Sequence, residues 1–286
     1  NLAIESVGGK ILYTDDITFS SSNLLNKFGN LFTKNQELLI QNIVKKYKFK
    51  QINTILDEIK KLKVLVIGEV IIDQYVFCEA LGKSGKEPVL VLRDLETENY
   101  LGGSLAIARH LSEFCNNISV LSFLGEDKEY KDFIEETIED NIELNFLTKT
   151  DSPTIVKRRF IDNIDRKKIL GVYSINDSLL NSDDEQLFLD SLKVKSKEYD
   201  LVIVSDYGHG IITSKIANYI SELDNFVSLN TQVNAANIGT HNIKKYSNIN
   251  SLVINATDLQ YEMRERDGDI EKTAIELKSA INSDFV

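Results

Sequence analysis

From Lys63 onward, short apolar runs alternate with stretches of helical spacing, and this alternation constrains the fold more than any other feature of the chain. Continuous apolar runs are typical of strands buried on both faces, and helices between parallel strands provide that cover. The pattern therefore predicts an α/β fold with a mostly parallel central sheet. The predicted strands are KVLVIG (63–68), ISVLSFLG (118–125), IELNFL (142–147), LVIVSD (201–206), FVSLN (226–230) and SLVIN (251–255).

Other segments of this region complete the predicted architecture. Residues 87–102 and 153–175 are rich in β-branched and basic residues and lack helical periodicity, so we expect them to form a small β lid outside the main sheet. Helical periodicity predicts five helices, near 103–115, 127–139, 183–196, 213–223 and 269–283.

The stretch VLVIGEVIIDQYVF, residues 64–77, is interpreted as one buried strand with the acids Glu69 and Asp73 at its end. A carboxylate beside so much apolar surface needs a partner. On the residues alone, Asp73 fits a general base, a metal ligand or a helix cap.

Two amphipathic helices, joined near residues 47–50, are predicted before Lys63. Their apolar positions are Leu38, Leu39, Ile43 and Val44, then Ile52, Ile55, Leu56 and Ile59. We therefore expect a short N-terminal piece over 1–28, a helical connector over 29–62 and a main domain over 63–286. The first residue is not methionine and no signal pattern follows, so we expect a piece of a longer protein.

Composition excludes several classes of protein. The 286 residues carry a net charge of −11 and a pI of about 4.9, which disfavours a nucleic-acid binder but leaves room for a small anionic ligand. No apolar run approaches the roughly 20 residues of a membrane span. Cys78 and Cys115 form no CxxC pair, which indicates a reducing, cytoplasmic setting and small apolar packing groups.

Polar residues follow five of the predicted strands. Ligands of open α/β sheets bind beyond the carboxyl ends of the strands, so five polar ends on one sheet indicate a ligand crevice. These ends are Gly68-Glu69, Gly125-Glu126-Asp127, Ser205-Asp206, Asn230 and Asn255.

Two further features could bind a ligand at that edge. Gly102 and Gly103 precede a predicted helix, where they allow either close approach of a ligand to the backbone or merely a tight turn. On a strand, Lys157 and Arg159 share one face while Arg158 lies on the other. The face with two cations could bind a phosphate, or it could be the charged face of a solvated edge strand. Neither a dinucleotide fingerprint nor a P-loop is present, which excludes a nucleotide-cofactor oxidoreductase.

Six segments follow one another in a specific order: VLVIGEVIIDQYVF, KEPVLVLR, LGGSLAIARHL, SPTIVKRR, LVIVSDYGHG and INATDL. Together they resemble the motifs of PfkB (ribokinase-like) carbohydrate kinases, and within them the heptose-7-phosphate kinase domain of bifunctional ADP-heptose synthesis enzymes. The resemblance covers roughly residues 63–286 and implies a ribokinase-like three-layer α/β/α fold with a β lid. It also implies ATP as co-substrate with Mg²⁺, and a possible homodimer through the lid strands.

The resemblance assigns the sugar site to five positions. Asp73 would accept hydrogen bonds from sugar hydroxyls, and Gly102 and Gly103 would bring backbone against the sugar. Lys157 and Arg159 would face the sugar or its phosphate from the lid.

Three more positions belong, by the same resemblance, to the nucleotide side. Asn255 and Asp258 would organise the ATP phosphates and Mg²⁺, with Asp258 as the metal ligand. Asp206 would lie near the zone of phosphoryl transfer.

The sequence departs from the family pattern at several points. Glu69 stands where the family has Asp, and Asp258 stands where it has Glu. Ala106 replaces a sugar-binding Asn, and His209 replaces Lys. The family's catalytic Asp lies in a C-terminal Gly-Ala-Gly-Asp motif, whereas Gly268 is the one glycine after Asn255. We therefore expect no catalytic base among the residues after Asn255. We also expect an incomplete fold at the C-terminus and no turnover by this chain alone.

The segment AIESVGGKILYTDDITFSSSNLLNKF resembles the end of a cytidylyltransferase-like domain. The resemblances together imply a fragment of a bifunctional sugar-phosphate kinase and nucleotidyltransferase for nucleotide-sugar synthesis. A non-catalytic module that binds a sugar phosphate is the alternative. The sequence does not identify the sugar or the hydroxyl that is phosphorylated.

Overall fold

The computed structural model describes Gly8 and residues 32–235, 237–239 and 242–286. The chain divides into two compact units, Asn1–Ile55 and Leu56–Val286. The segment KILYT (10–14), whose composition predicts a short strand, and the segment that resembles a cytidylyltransferase-like domain lie outside the described residues, except for Gly8.

The two predicted amphipathic helices are confirmed as α1 (Lys34–Lys46) and α2 (Phe49–Ile59). Thr33 begins α1 with a capping box, in which its hydroxyl accepts from Gln36 N–H and the Gln36 side chain accepts from Thr33 N–H. Such a reciprocal pair satisfies two backbone donors that a helix end otherwise leaves free.

The central sheet has six strands in the order β10-β9-β8-β1-β4-β5, and all five pairings are parallel. This confirms the predicted parallel sheet. Its strands are β1 (Lys63–Gly68), β4 (Asn117–Leu124), β5 (Ile142–Thr148), β8 (Leu201–Asp206), β9 (Phe226–Thr231) and β10 (Ser251–Val253).

A second sheet forms the predicted lid, in the order β3-β2-β6-β7. Strands β2 and β6 are parallel, and the two outer pairs are antiparallel. Its strands are β2 (Val70–Lys83), β3 (Leu90–Gly103), β6 (Ile155–Asp162) and β7 (Lys168–Ser174).

The prediction of one strand over 64–77 is wrong. The chain leaves the central sheet at Gly68, whose φ is 137°, and enters the lid at Val70. A hydropathy pattern cannot detect this change of sheet, because Val70, Ile71 and Ile72 are as buried as the strand before them.

Helices cover both faces of the central sheet, which gives three layers. One core cluster contains Phe188, Ile216 and Leu277, and the other contains Leu105 and Ile134. The five predicted helices are confirmed, and Ala256–Met263 is an additional one that the periodicity did not reveal. The helices are α3 (Ser104–Ser112), α4 (Lys131–Thr137), α5 (Ser182–Lys195), α6 (Ser214–Ser221), α7 (Ala256–Met263) and α8 (Ile270–Ala280), with 3₁₀ turns at Ser196–Glu198 and Ile243–Lys245.

Cys78 and Cys115 are buried free thiols that pack as small apolar groups, as predicted. Among the helices that the structure describes, none combines the length and apolar character needed to cross a membrane.

Candidate active site

The lid begins at the edge where the parallel strands end. At that edge, a Cβ on Gly68 would lie 1.9 Å from the Ser205 carbonyl oxygen of β8. Glycine is therefore required for β1 and β8 to remain paired up to the point where the chain turns into the lid.

Glu69 is the single residue between β1 and β2, and it is completely buried. Its carboxylate oxygens accept hydrogen bonds from the backbone N–H groups of Tyr207 (2.9 Å) and His209 (3.0 Å), in the loop after β8. Burial first, and then the charge of Asp206, raise the pKa of Glu69 to about 7. Glu69 therefore fixes the loop that carries Tyr207.

Asp73 lies on β2, opposite Tyr100 of β3 and Lys157 of β6. Its carboxylate forms an ion pair with Arg159 and remains partly exposed. A Cβ at Gly102 would lie 2.5 Å from Asp73 Oδ2, so the glycine lets the carboxylate lie directly against the backbone of β3.

Gly103 is the N-cap of α3 and has a φ of 60°. A Cβ there would lie 2.2 Å from the Glu69 carbonyl oxygen, which accepts a hydrogen bond from Ser104 N–H at 2.8 Å. The two glycines thus let the start of α3 lie against the turn between β1 and β2.

Lys157 and Arg159 share the inner face of the lid with Asp73, whereas Arg158 contacts Gln74 on the other face. This confirms the predicted alternation. The Lys157 ammonium lies 5.6 Å from the Tyr207 ring centroid and 6.0 Å from that of Tyr173. Burial lowers the pKa of Lys157, and the charge of Asp73 opposes that effect most strongly.

Arg159 lies near a third aromatic side chain, with its guanidinium carbon 5.6 Å from the Tyr75 ring centroid. Tyr75 in turn contacts Tyr100 edge-on at 5.6 Å. Cations over aromatic faces are stabilised by the ring quadrupole, so these tyrosines help to hold both lid cations in place.

Asp206 is buried at the end of β8 and has several partners. Tyr246 donates its hydroxyl to Asp206 Oδ2 at 2.8 Å, and Lys245 Nζ lies 2.7 Å from the same atom. The Gly208 N–H donates to Asp206 Oδ1 at 3.0 Å. Burial and the Asp206 charge hold the pKa of Tyr246 well above its ordinary value. Asp206 therefore anchors the loop 207–210 from its other side.

His209 is buried, and its Nδ1 lies 2.7 Å from Asp177 Oδ1. Burial, followed by the nearby charge of Lys157, lowers the pKa of His209. The Lys149 ammonium donates to three carbonyl oxygens, those of Asn176 (2.7 Å), Ser178 (2.9 Å) and His209 (3.2 Å). These contacts join the end of β7 to the loop after β8.

Asn255 and Asp258 form the N-terminal cap of α7. Asn255 Oδ1 accepts from Asp258 N–H at 2.9 Å, and Asn255 Nδ2 donates to Asp258 Oδ2 at 2.6 Å. Both residues line a cavity of about 300 Å³, together with Asn230, Thr231 and Tyr207. Tyr207 therefore lines this cavity and also contacts Lys157 of the lid.

The structure brings the predicted residues into two adjoining groups. The first contains Asp73, Gly102, Gly103, Lys157 and Arg159, and the second contains Asn255 and Asp258. Asp206 lies in neither group and contacts the loop that connects them.

A family model for pfkB carbohydrate kinases matches residues 61–207, just over half of the chain. The chain belongs to the pfkB carbohydrate kinase family. The match spans β1, the whole lid and the first residue after β8, which are the elements that build the first group of site residues.

The curated relatives that match this chain are much longer than the matched segment. The bifunctional protein HldE of Campylobacter jejuni strain RM1221 is 29% identical over 161 residues, which are 56% of this chain and 33% of that protein. HldE of Nitratiruptor is 29% identical over 160 residues, which are 56% of this chain and 34% of that protein. The matched part of the chain thus spans about a third of the length of these relatives.

Two solved structures share the fold of this chain at low sequence identity. Ribokinase from Thermotoga maritima has a TM-score of 0.54 at 15% identity and covers 77% of this chain and 69% of its own. Phosphofructokinase-2 from Escherichia coli in complex with fructose-6-phosphate has a TM-score of 0.56 at 12% identity, over 78% and 72%. The predicted ribokinase-like fold is therefore confirmed.

Sequence reasoning missed several residues that hold this candidate site together. It assigned no role to Tyr207, Tyr173 or Lys149, and it did not pair Glu69 with the loop after β8. Only the aromatic residue directly after Asp206 gave a local signal. The other partners lie far away in sequence, so no local pattern indicates them.

Proposed function

We propose that this chain forms the sugar-binding part of an ATP-dependent kinase for a sugar phosphate. The reaction would transfer the γ-phosphoryl group of ATP to a sugar hydroxyl. One observation carries the proposal. Tyr207 contacts Lys157 of the lid and also lines the cavity at Asn255 and Asp258. A sugar held at the lid and a phosphate donor in the cavity could therefore meet beside Tyr207.

The residues of the chain would mainly bind and orient the reactants. Asp73 would accept hydrogen bonds from sugar hydroxyls next to Gly102, and Lys157 would supply positive charge beside it. Positioning and charge neutralisation account for most of the catalysis of phosphoryl transfer. The catalytic Asp of the resembling motif would be supplied by residues other than 256–286, which contain a single glycine.

The second group of residues suits the phosphates of ATP with a magnesium ion. Mg²⁺ binds through one or two carboxylates, substrate phosphates and water, and the cavity offers the Asp258 carboxylate with amide oxygens of Asn230 and Asn255. Among the described residues, no three His, Cys, Asp or Glu side chains cluster as a metal site. Mg²⁺ would neutralise phosphate charge when bound there.

We further propose a heptose 7-phosphate as the substrate, in a protein that also carries a nucleotidyltransferase for nucleotide-sugar synthesis. The HldE relatives are named as bifunctional proteins, which supports this context. Such a kinase would work in the cytoplasm, where ATP is made, and two free buried cysteines are compatible with that compartment.

The lid strands are proposed as a surface for a homodimer. Apolar side chains on the lid are exposed, among them Val89, Leu90, Leu95, Leu170 and Val172. Exposed apolar side chains of this kind are available for protein contacts. Sedimentation of the chain at rising concentration would measure the association directly.

Calorimetry with the Asp73→Ala variant tests the proposed sugar site. We expect affinity for heptose 7-phosphate to fall by about 1–3 kcal/mol, the scale of lost hydrogen bonds to a charged group. Asp165→Ala is the matched control, because Asp165 is an exposed carboxylate on the turn between β6 and β7. Unchanged affinity in Asp73→Ala would refute the assignment.

The alternative is a module that binds the sugar phosphate without turnover. Ala106 favours it, because the resembling kinases have a sugar-binding Asn at that position. A kinase assay on the full-length protein separates the two functions, since the module predicts binding without release of ADP.

A further inference from the structure

The sugar-binding carboxylate already has a partner in this structure. Asp73 is bonded to the Arg159 guanidinium, so its oxygen is shared with a cation before any ligand is present. The two side chains are 27% and 19% exposed, which leaves both within reach of a ligand that enters from solvent. A sugar hydroxyl would have to compete with this ion pair.

Lys157 and Arg159 differ in how firmly they are held. Lys157 is almost completely buried, with its ammonium near the rings of Tyr207 and Tyr173. Arg159 lies near one ring, that of Tyr75, and is more exposed. Lys157 can therefore stay beside Asp73 if the Arg159 side chain moves away.

The strand register also separates the two cations in space. Asp73 pairs with Lys157, and Arg159 lies two residues farther along β6 on the same face. At about 3.3 Å per residue, this places the Arg159 backbone roughly 7 Å farther from the central sheet. A sugar whose hydroxyls contact Asp73 could therefore present a group at its outer end to Arg159.

A phosphate at that outer end is the group that would draw Arg159 away. Guanidinium groups bind phosphate through two parallel hydrogen bonds, and a phosphate carries more charge than the Asp73 carboxylate. A sugar without phosphate has only neutral hydroxyls with which to displace the guanidinium.

We propose that Arg159 determines specificity by occupying Asp73 until a phosphate on the sugar binds the guanidinium and releases the carboxylate. This inference rests on the proposed function and adds the reason for a phosphorylated substrate. The site would select a sugar phosphate over the same sugar without phosphate, and the selection would come from an internal competitor.

Calorimetry on the full chain tests this with three ligands: heptose 7-phosphate, the same heptose without phosphate, and inorganic phosphate. The wild-type chain should bind the phosphorylated sugar about ten- to hundredfold more tightly than the free sugar, the range for one hydrogen-bonded charge. Inorganic phosphate should raise the affinity for the free sugar, because each ligand favours the released state.

Arg159→Gln should abolish this pattern. Asp73 is then free, so the free sugar should bind more tightly than it binds the wild type, and inorganic phosphate should no longer help. The preference for the phosphorylated sugar should shrink to within about threefold. Arg158→Gln makes the same charge change on the outer face and should keep the wild-type preference.

Arg159→Lys keeps the charge and provides a second variant if the first is poorly folded. It should give an intermediate preference, since an ammonium lacks the planar pair of donors. Equal affinity of the wild type for both sugars, or weaker binding of both by Arg159→Gln, would overturn the inference while the sugar site stands. If the wild type binds neither sugar, the proposed function itself fails.

Discussion

The central sheet and the lid are both built from β-strands, but they differ in burial and in the side chains that they carry. In the central sheet, Val64, Leu65, Val66 and Ile67 are completely buried. Strand β7 of the lid is mostly exposed and carries Tyr173, and the charged side chains of the candidate site lie on β2 and β6 of the same sheet. The difference indicates that the central sheet supplies most of the stability, while the lid carries the proposed ligand contacts and should tolerate change.

The largest loss of stability is expected at the junction of the two sheets. Gly68→Ala would place a Cβ 1.9 Å from a backbone oxygen, where no rotamer change can relieve the overlap. We expect a loss of more than about 4 kcal/mol, enough to unfold many domains. Urea unfolding followed by circular dichroism measures it.

Gly82→Ala is the matched lid variant. Gly82 also has a positive φ, 97°, but a Cβ added there would meet no atom within 4 Å. The substitution should cost only about 1 kcal/mol for the strained backbone. Equal losses at 68 and 82 would contradict the division between the sheets.

The packing of the central sheet predicts the next largest effect. Phe188 is completely buried on α5 and stacks on Phe123 of β4 with ring centroids 5.6 Å apart. Phe188→Ala should lower the free energy of unfolding by about 3–5 kcal/mol through lost burial and a cavity. Leu187→Ala, at the exposed neighbouring position, should change it by less than about 1 kcal/mol, and similar losses for both would refute the assignment of the core.

Glu69 predicts a pH dependence at the boundary between the sheets. Its pKa is about 7 in the folded chain and 4.5 ordinarily, so folding favours the protonated form. Stability from this group is therefore fully present below about pH 4.5 and falls as pH rises to about 7. The change amounts to about 3 kcal/mol.

Glu69→Gln should remove this slope between pH 4.5 and 7, as measured by urea midpoints across that range. Gln leaves one of the two N–H donors facing its amide, which should cost about 1–3 kcal/mol at low pH. Glu135→Gln, on an exposed face of α4, serves as the control. An unchanged slope in Glu69→Gln would show that another group causes the pH dependence.

The smallest expected effect lies in the lid. Tyr173→Leu removes one ring beside Lys157 and should weaken binding of heptose 7-phosphate about two- to fivefold. The unfolding midpoint should stay unchanged, because Tyr173 is exposed. Val172→Ala, on the opposite face of β7, should alter neither quantity, and a large loss of stability in Tyr173→Leu would count against a lid that contributes only binding.

The same contrast explains how much the sequence could predict. The strands of the central sheet follow from continuous apolar runs, because burial on both faces leaves that signature. Alternation on β6 correctly separated Lys157 and Arg159 from Arg158. The turn at Gly68 was missed, because its glycine is required by a contact with Ser205, which is far away in sequence.

The rest of the site depends on similar long-range contacts. Asp206 was found from its position at a strand end, but its partners Lys245 and Tyr246 lie about 40 residues farther on. Helix α7 was missed because Leu259 is its one buried apolar side chain, so the helix has no apolar stripe that periodicity could detect. Local patterns therefore predict the elements, and tertiary packing decides how they meet.

The buried ammonium of Lys149 has a consequence for how the lid is attached. Three carbonyl oxygens surround it, in the manner in which proteins often chelate a free cation. Because this cation is covalently part of the chain, chelators cannot extract it and dilution cannot remove it. The attachment between the end of β7 and the loop after β8 should therefore hold in any ionic medium that leaves the fold intact.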